Sequence, residues 1–320
     1  MLPSRKQEAP EVTVLLPVRN GAAFLAAAAD SILRQSLRAL ELLVVDDGST
    51  DGTPAILAGL AAADARVRVL TQGPLGLVPA LNRGLHAAAA PLVARMDADD
   101  LAAPERLARQ AAALAAAPGL ALVGSAWRVV GRDGRERRVV RPPAGDGGIR
   151  AALRRANCLG HPTIMLRRDA ALAVGGYRPA FLLAEDYDLW LRLLERGQAA
   201  CLPDVLLDYR EHPGQSAWRD LEQRILSEMG AQAAACCRAA GRPDRADDPA
   251  PIDRARLGRM GLSEQEIAAG VIARALGAAK DARAAGRSAE AAARLGLQQP
   301  GLRLRTRLHL LLLAAPRWRP

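Results

Sequence analysis

Three carboxylates crowd the end of one short apolar run. Val93-Ala94-Arg95-Met96 leads directly into Asp97-Ala98-Asp99-Asp100. Acidic side chains packed this closely repel one another, and a hard divalent cation offsets that repulsion. Mg²⁺ and Mn²⁺ prefer oxygen ligands, and Mg²⁺ commonly takes one or two carboxylates together with substrate phosphates. In α/β sheets, ligands bind beyond the carboxyl ends of the strands. Residue type and position together predict a metal–diphosphate site at residues 97–100. The alternative is a solvated acidic turn, and the apolar strand just before the cluster weighs against it.

Hydrophobic periodicity supplies the elements that must hold this cluster. Residues 12–17 form a continuous β-branched and leucine run, expected as a buried strand, and residues 21–35 have helical spacing. Residues 40–45 are a second strand that ends at Asp46-Asp47-Gly48-Ser49. A helix follows, with Thr53 as the expected N-cap and Pro54 at its first position. Residues 67–70 (strand), 77–90 (helix) and 91–96 (strand) continue the alternation, which implies a layered, mostly parallel α/β sheet. An alanine-rich helix is expected after Pro104, then a strand over 120–130. Gly131-Arg132-Asp133-Gly134 marks a hairpin turn into a strand that runs to Val140. Residues 142–148 are expected as a loop, 162–166 as a strand, 186–196 as a helix, and 201–209 as a return to the sheet. Residues 216–240 and 263–296 are helical in pattern, separated by a Pro/Asp-rich stretch at 242–253. The expected organisation is a disordered 1–10, an α/β domain over 11–215 and a helical extension over 216–320.

Composition removes several function classes. The 320 residues carry a formal net charge of +10, half of them are hydrophobic, and aromatics are 3%. The basic balance favours anionic partners. The arginines are scattered and not interleaved with aromatics, so no nucleic-acid module is expected. Cys158, Cys201, Cys236 and Cys237 form no C-x-x-C pair, which argues against a zinc knuckle or a redox motif. The first ten residues contain no apolar core of a signal peptide, and the apolar run 310–315 is too short to span a bilayer. A cytoplasmic protein is the expectation. Val14 to Gly21 has one glycine and no lysine, unlike a nucleotidyltransferase phosphate loop, and Pro17 to Phe24 lacks the G-x-G-x-x-G of a dinucleotide site.

Several segments then fall in one order: Pro17-Val18-Arg19-Asn20 after the first strand, Asp46-Asp47-Gly48-Ser49 after the second, and Asn82 with Arg83 on a helix. Asp97-Ala98-Asp99, His161-Pro162-Thr163, Glu185-Asp186 and Tyr209-Arg210-Glu211-His212 complete the series. Together they resemble the family 2 inverting glycosyltransferases, which have the GT-A fold, and the resemblance covers about residues 11–215. It implies a Rossmann-like α/β/α domain. It places Pro17, Arg19, Asn20 and Asp47 on the nucleotide base and ribose. Asp47 would accept from a base N–H, and Arg19, where the family often has an aromatic, would stack on the base through its guanidinium. Asn82 and Arg83 match a segment that faces the donor.

Asp97-Ala98-Asp99 matches the family's D-x-D motif. The match makes Asp99 the metal contact for Mn²⁺ or Mg²⁺, puts Asp97 near the donor sugar, and makes Asp100 a supporting neighbour. The cation would neutralise charge as the sugar–phosphate bond breaks. The acidic pair before Trp190 matches the family's base, so Asp186 is expected to deprotonate the acceptor hydroxyl, with Glu185 beside it. Adjacent carboxylates raise one another's pKa, which suits a base near neutral pH. The same residues also suit a helix N-terminus. His212 matches a late histidine that in some GT-A enzymes reaches the metal or diphosphate. Arg210 is positioned to attract phosphate. His161 lines the acceptor side or is structural.

The implied reaction is sugar transfer from a nucleotide-diphosphate donor, a UDP-sugar first, to a hydroxyl of a cell-surface glycan or a lipid-linked acceptor. A nucleotidyltransferase, or a degenerate transferase scaffold, is the alternative. Residues 301–320 combine arginine, leucine and Trp318, the composition of an interfacial segment. Peripheral membrane contact is one expectation for them. Packing on 263–296 or a dimer contact is the other.

Overall fold

The computed structural model describes residues 9–212, 220–284 and 288–314. Most of the expected disordered N-terminus, the expected boundary near 215 and the tail end that includes Trp318 lie outside the described residues. Two compact units emerge: residues up to Tyr177 together with 189–212, and residues 178–188 together with the chain from 220 onward.

The first unit is built on a nine-stranded sheet. β1 (Val12–Val18), β2 (Leu40–Asp47), β3 (Val67–Gln72) and β4 (Leu92–Arg95) pair in parallel in the order β3-β2-β1-β4. The helices α1 (Leu25–Leu33), α2 (Thr53–Ala63) and α3 (Leu77–Ala87) make the crossovers. Every residue of β1 and β2 is buried, as expected for parallel strands covered on both faces. Pro17 sits inside β1 opposite Val45. A proline there would normally cost a ladder bond, but pairing with β4 stops at Leu15 and Arg95. With a period of two, position 17 faces that same side, where no strand is left to pair.

β5 (Leu101–Ala102), α4 (Arg106–Ala116), β6 (Leu120–Gly131), β7 (Glu136–Val140), α5 (Asp146–Leu153), β8 (Met165–Arg167), α6 (Arg168–Ala173), α7 (Glu185–Leu193) and β9 (Gln198–Glu211) follow. The sheet continues β4-β8-β6-β9-β5, and β7 pairs with β6 across the expected turn, where Gly134 takes φ +77°. β8 runs antiparallel to β4 and β6, while β9 runs parallel to β6 and antiparallel to β5.

Three expectations need correction. Residues 142–148 are not all loop, because α5 begins at Asp146, whose carboxylate accepts from Arg150 Nε (2.7 Å) and from the Ala199 N–H (3.0 Å). Gly147 and Gly148, poor helix formers, hid it. Residues 161–163 form a 3₁₀ turn, so the strand starts only at Met165. Thr53 is the first residue of α2 and not its cap. Its Oγ1 accepts from the Gly21 N–H at 2.9 Å, while Asp51 Oδ1 accepts from the Thr53 N–H at 3.0 Å.

The second unit contains residues 178–188 and α8 (Leu221–Ala239), α9 (Arg254–Arg259), α10 (Glu264–Ala284), α11 (Glu290–Leu297) and α12 (Leu304–Ala314). Asp220 and Asp253 cap α8 and α9 by accepting from the N–H groups of Gln223 (3.0 Å) and Arg256 (2.7 Å). Ser263 and Glu266 form a reciprocal capping box before α10. Small side chains let α10, α11 and α12 share a core of Ala279, Ala282, Ala289, Ala292, Ala293 and Leu310.

Candidate active site

The carboxyl ends of β1, β2 and β4 share one edge because the three strands are parallel. This edge carries Arg19 and Asn20 just after β1, Asp46 and Asp47 at the end of β2, and residues 97–100 after β4. This is the edge at which α/β sheets bind ligands.

The first two loops are latched to each other. Asn20 takes the left-handed conformation (φ +55°), which asparagine tolerates better than most residues. Its N–H donates to Ser49 Oγ (2.9 Å), and its Oδ1 accepts from the Thr50 N–H (2.8 Å). The Ala22 N–H donates to Asp51 Oδ2 (3.1 Å). Asp46 Oδ1 accepts from the Ser49 N–H (3.1 Å) and fixes the turn. The buried Asp47 carboxylate accepts three bonds: Gln72 Nε2 (2.8 Å), the Leu75 N–H (2.9 Å) and the Gly76 N–H (2.9 Å). It therefore organises the loop after β3. Arg19 is exposed at the end of β1.

At the third loop, Asp97, Asp99 and Asp100 bring one oxygen each to within 4.8 Å of the others, the only such grouping among the described residues. β9 passes alongside because β5, right after the cluster, pairs with it. The Arg210 N–H donates to Asp100 Oδ1 (2.9 Å) and Arg210 Nε to the Asp99 carbonyl (3.0 Å). His212 Nε2 lies 2.8 Å from Asp99 Oδ2. Phe24 supports both side chains, with the Arg210 guanidinium 5.0 Å and the His212 ring 5.1 Å from its centroid. Arg210, expected to attract phosphate, also braces the acidic loop through its backbone N–H and Nε.

The cluster's electrostatics are unbalanced. Burial, and after it the negative charges of Asp97 and Asp99, push the Asp100 carboxyl well above the usual range. Asp100 is fully buried, and its Oδ2 has no hydrogen-bond partner. Burial also raises Asp97, against the pull of the buried Arg95 guanidinium that pairs with it. Arg106 backs this group by donating to the Arg95 carbonyl (2.7 Å) and to Gln110 (3.1 Å). An orphaned buried oxygen within an all-carboxylate set, with an imidazole on Asp99, suits a hard divalent cation. Asp99 and Asp100 would hold it, with Asp97 and His212 beside them. Sequence reasoning missed Arg95 and Arg106, although a lone arginine inside the apolar run 92–96 was a legible sign of a buried partner for the acids.

His161 occupies a separate group. Its Nε2 lies 3.0 Å from the Tyr177 hydroxyl, and its ring meets the buried Trp190 edge-on at 5.7 Å. Burial, and secondarily the positive charge of Arg95, hold the imidazole well below its ordinary pKa, so it is neutral. Asn82, expected to face the donor, is committed elsewhere. Its Nδ2 donates to the Tyr177 carbonyl (2.7 Å) and its Oδ1 accepts from the Tyr177 N–H (2.8 Å), which places the tyrosine against His161. Arg83 Nη1 donates to the Thr71 carbonyl (2.6 Å) and ties α3 to β3.

Glu185 and Asp186 open α7 and belong to the second unit. Glu185 is buried and Asp186 half-buried, with Asp186 Oδ1 accepting from the Tyr187 N–H at 2.6 Å. Just before them, Leu183 takes φ +67°. A leucine there costs of order 1–3 kcal/mol and persists only when its surroundings hold it.

Known structures share this architecture. The mannosyltransferase PcManGT from Pyrobaculum calidifontis, in complex with GDP-Man and Mn²⁺, superposes with a TM-score of 0.55 at 22% identity, covering 96% of this chain and 86% of that one. S. aureus TarS 1-349 in complex with UDP-GlcNAc gives 0.58 at 16% identity, covering 95% and 89%. The fold is of the GT-A glycosyltransferase type. In sequence, the amylovoran biosynthesis glycosyltransferase AmsE of Erwinia amylovora is 35% identical over 183 residues, 57% of this chain and 68% of that protein. The O-antigen biosynthesis glycosyltransferase WbnJ of Escherichia coli is 31% identical over 205 residues, 63% and 80% respectively. The model of glycosyl transferase family 2 matches residues 13–175. The chain belongs to glycosyltransferase family 2.

Proposed function

We propose that this glycosyltransferase is metal-dependent and inverting, and that it moves a sugar from a nucleotide-diphosphate donor, a UDP-sugar first, to a hydroxyl of a cell-surface glycan or lipid-linked acceptor. The observation that carries the reading is the acidic cluster, whose buried Asp100 Oδ2 lacks a partner. Arg19, Asn20 and Asp47 form the nucleotide end, and Asp97, Asp99 and Asp100 the diphosphate end. A cation bound at the cluster would offset charge on the leaving diphosphate. Asp186 accepts the proton of the acceptor hydroxyl as that oxygen attacks the anomeric carbon, and Glu185 lies beside it. A single in-line displacement inverts the anomeric centre with no covalent enzyme intermediate. The names of AmsE and WbnJ, in amylovoran and O-antigen biosynthesis, support a surface polysaccharide as the product class.

The test is a thermal-shift screen of UDP-, GDP- and dTDP-sugars with and without Mn²⁺. A donor at about 100 times its Kd stabilises the folded state by about 2.7 kcal/mol. One nucleotide class should raise Tm, and only with the metal. Silence from all three would refute the reading.

We infer further that α12 rests on a membrane surface. No helix among the described residues is long and apolar enough to cross a membrane, so the contact is peripheral. Leu310 is fully buried in the helical core, so the expected packing on α10 and α11 supports one side of α12. Leu308 and Leu311 remain 52% and 49% exposed beside the exposed Arg307. Basic and apolar groups together suit an anionic interface. Co-sedimentation with vesicles rich in anionic lipid should fall at least several-fold in the double variant Leu308→Asp, Leu311→Asp, with no loss on neutral vesicles. Equal binding by the variant would sink the idea. Deleting residues 301–320 is a poorer test, because it removes the buried Leu310.

A further inference from the structure

The segment that carries Glu185 and Asp186 is held by residues from the distant C-terminal part of the chain. Arg178 grips the fully buried Asp188 with two nitrogens, Nε to Oδ2 at 3.0 Å and Nη2 to Oδ1. Its third nitrogen, Nη1, donates to Asp244 Oδ2 at 2.7 Å, and Arg238 Nη1 donates to the same oxygen at 2.7 Å. Burial raises the Asp244 carboxyl, but the hydrogen bonds from Arg178 and Arg238 outweigh it, so Asp244 is held low and charged. The Arg178 guanidinium also lies 4.7 Å from the centroid of Phe181, itself fully buried. Two more ties converge on the same segment. The Ile252 N–H donates to the Ala180 carbonyl at 3.0 Å, and Gln232 Nε2 donates to the Tyr187 hydroxyl at 2.9 Å, with Arg274 donating in turn to Gln232 Oε1. Residues 178–188 are thus clamped at both ends and close to Asp186 itself, through the adjacent Tyr187. Within that clamped stretch, Leu183 keeps its left-handed backbone.

We propose that the C-terminal helices are part of the catalytic apparatus, and that Asp244, acting through Arg178 and Asp188, is a positioning residue for the base Asp186. The inference rests on Asp186 being the base. Arg178 is the hinge of the arrangement because its planar fork reaches Asp188 with two nitrogens and Asp244 with a third. A lysine, as a single point charge, cannot do both. Asp244 then fixes where that fork points. Loss of a second-site anchor that displaces a reacting group by about 1 Å can cost about a hundredfold in rate.

The experiment measures transfer kinetics, donor affinity and Tm for the full chain carrying Asp244→Asn, Asp244→Glu, Arg178→Lys or Asp186→Asn. For Asp244→Asn, the expected result is a fall in kcat of about ten- to a hundredfold, with the Kd for donor nucleotide plus Mn²⁺ unchanged and Tm near wild type. Asp244→Glu keeps the carboxylate and should recover part of kcat. Arg178→Lys should resemble Asp244→Asn. A role in stability alone would lower Tm and leave the kcat of the folded fraction intact, and that result would overturn the inference. So would wild-type kcat in Asp244→Asn beside an inactive Asp186→Asn, which leaves the assignment of the base standing. If Asp186→Asn itself transfers normally, the base assignment falls and takes the inference with it.

Discussion

Replacing Asp186 with Asn is expected to lower transfer by about a hundred- to ten-thousand-fold, the usual contribution of a positioned general base. The substitution is nearly isosteric. The Asn carbonyl can still accept from the Tyr187 N–H that Asp186 Oδ1 now engages at 2.6 Å, so the helix start should survive. What is lost is the group that takes the acceptor's proton, and that loss is felt only as the acceptor oxygen attacks. The kinetic signature follows: kcat and kcat/KM fall together, as for an interaction made in the transition state alone, while donor Kd holds. Glu185→Gln should fall less, because the buried Glu185 neighbours the base without replacing it. Nucleotide release coupled to transfer, with donor affinity titrated separately, makes the measurement. Activity of Asp186→Asn within a few-fold of wild type would remove Asp186 from the mechanism.

The sequence was most legible where local pattern and tertiary demand coincide. The segments 12–17 and 40–45 are strands buried along their whole length, as parallel strands covered on both faces are, and the acidic cluster stands out because three carboxylates directly follow a largely buried strand. It was least legible where side chains reach across the chain. Asn82 could be placed on its helix from sequence, yet only the fold shows that both ends of its amide are committed to Tyr177. Arg210 and His212 are residue types suited to phosphate. Their first partners, however, are Asp99, Asp100 and the Phe24 ring, brought there by the antiparallel pairing of β5 with β9. The α5 helix was hidden by two glycines that Asp146 compensates through bonds made 4 and 53 residues away. A residue-by-residue pattern also cannot assign 178–188 to the C-terminal unit, because that grouping rests on Arg178, Asp188 and Asp244 meeting across 66 residues of sequence.

Asp99→Asn should separate catalysis from stability at the other end of the site. The three carboxylates crowd one another. Asp97 pairs with Arg95 and Asp99 Oδ2 lies 2.8 Å from His212 Nε2, while Asp100 is fully buried with one oxygen unpartnered. Removing one negative charge from such a group relieves repulsion, so the metal-free variant should be as stable as wild type or more stable, by about 0.5–2 kcal/mol. With donor and Mn²⁺ the order inverts. A metal at a departing phosphate supplies several kcal/mol of transition-state stabilisation, and each 1.36 kcal/mol is tenfold in rate. Turnover should therefore drop by about a thousandfold, and the metal-dependent rise in Tm seen with wild-type protein and donor should vanish. Asp100→Asn should behave alike, since it withdraws the buried oxygen that has no protein partner. These opposite movements identify a site built for a ligand: damage to the fold would lower Tm in both conditions, whereas loss of a metal ligand lowers only the Tm measured with metal and donor. Full Mn²⁺-dependent stabilisation in Asp99→Asn would show that the cluster does not hold the cation.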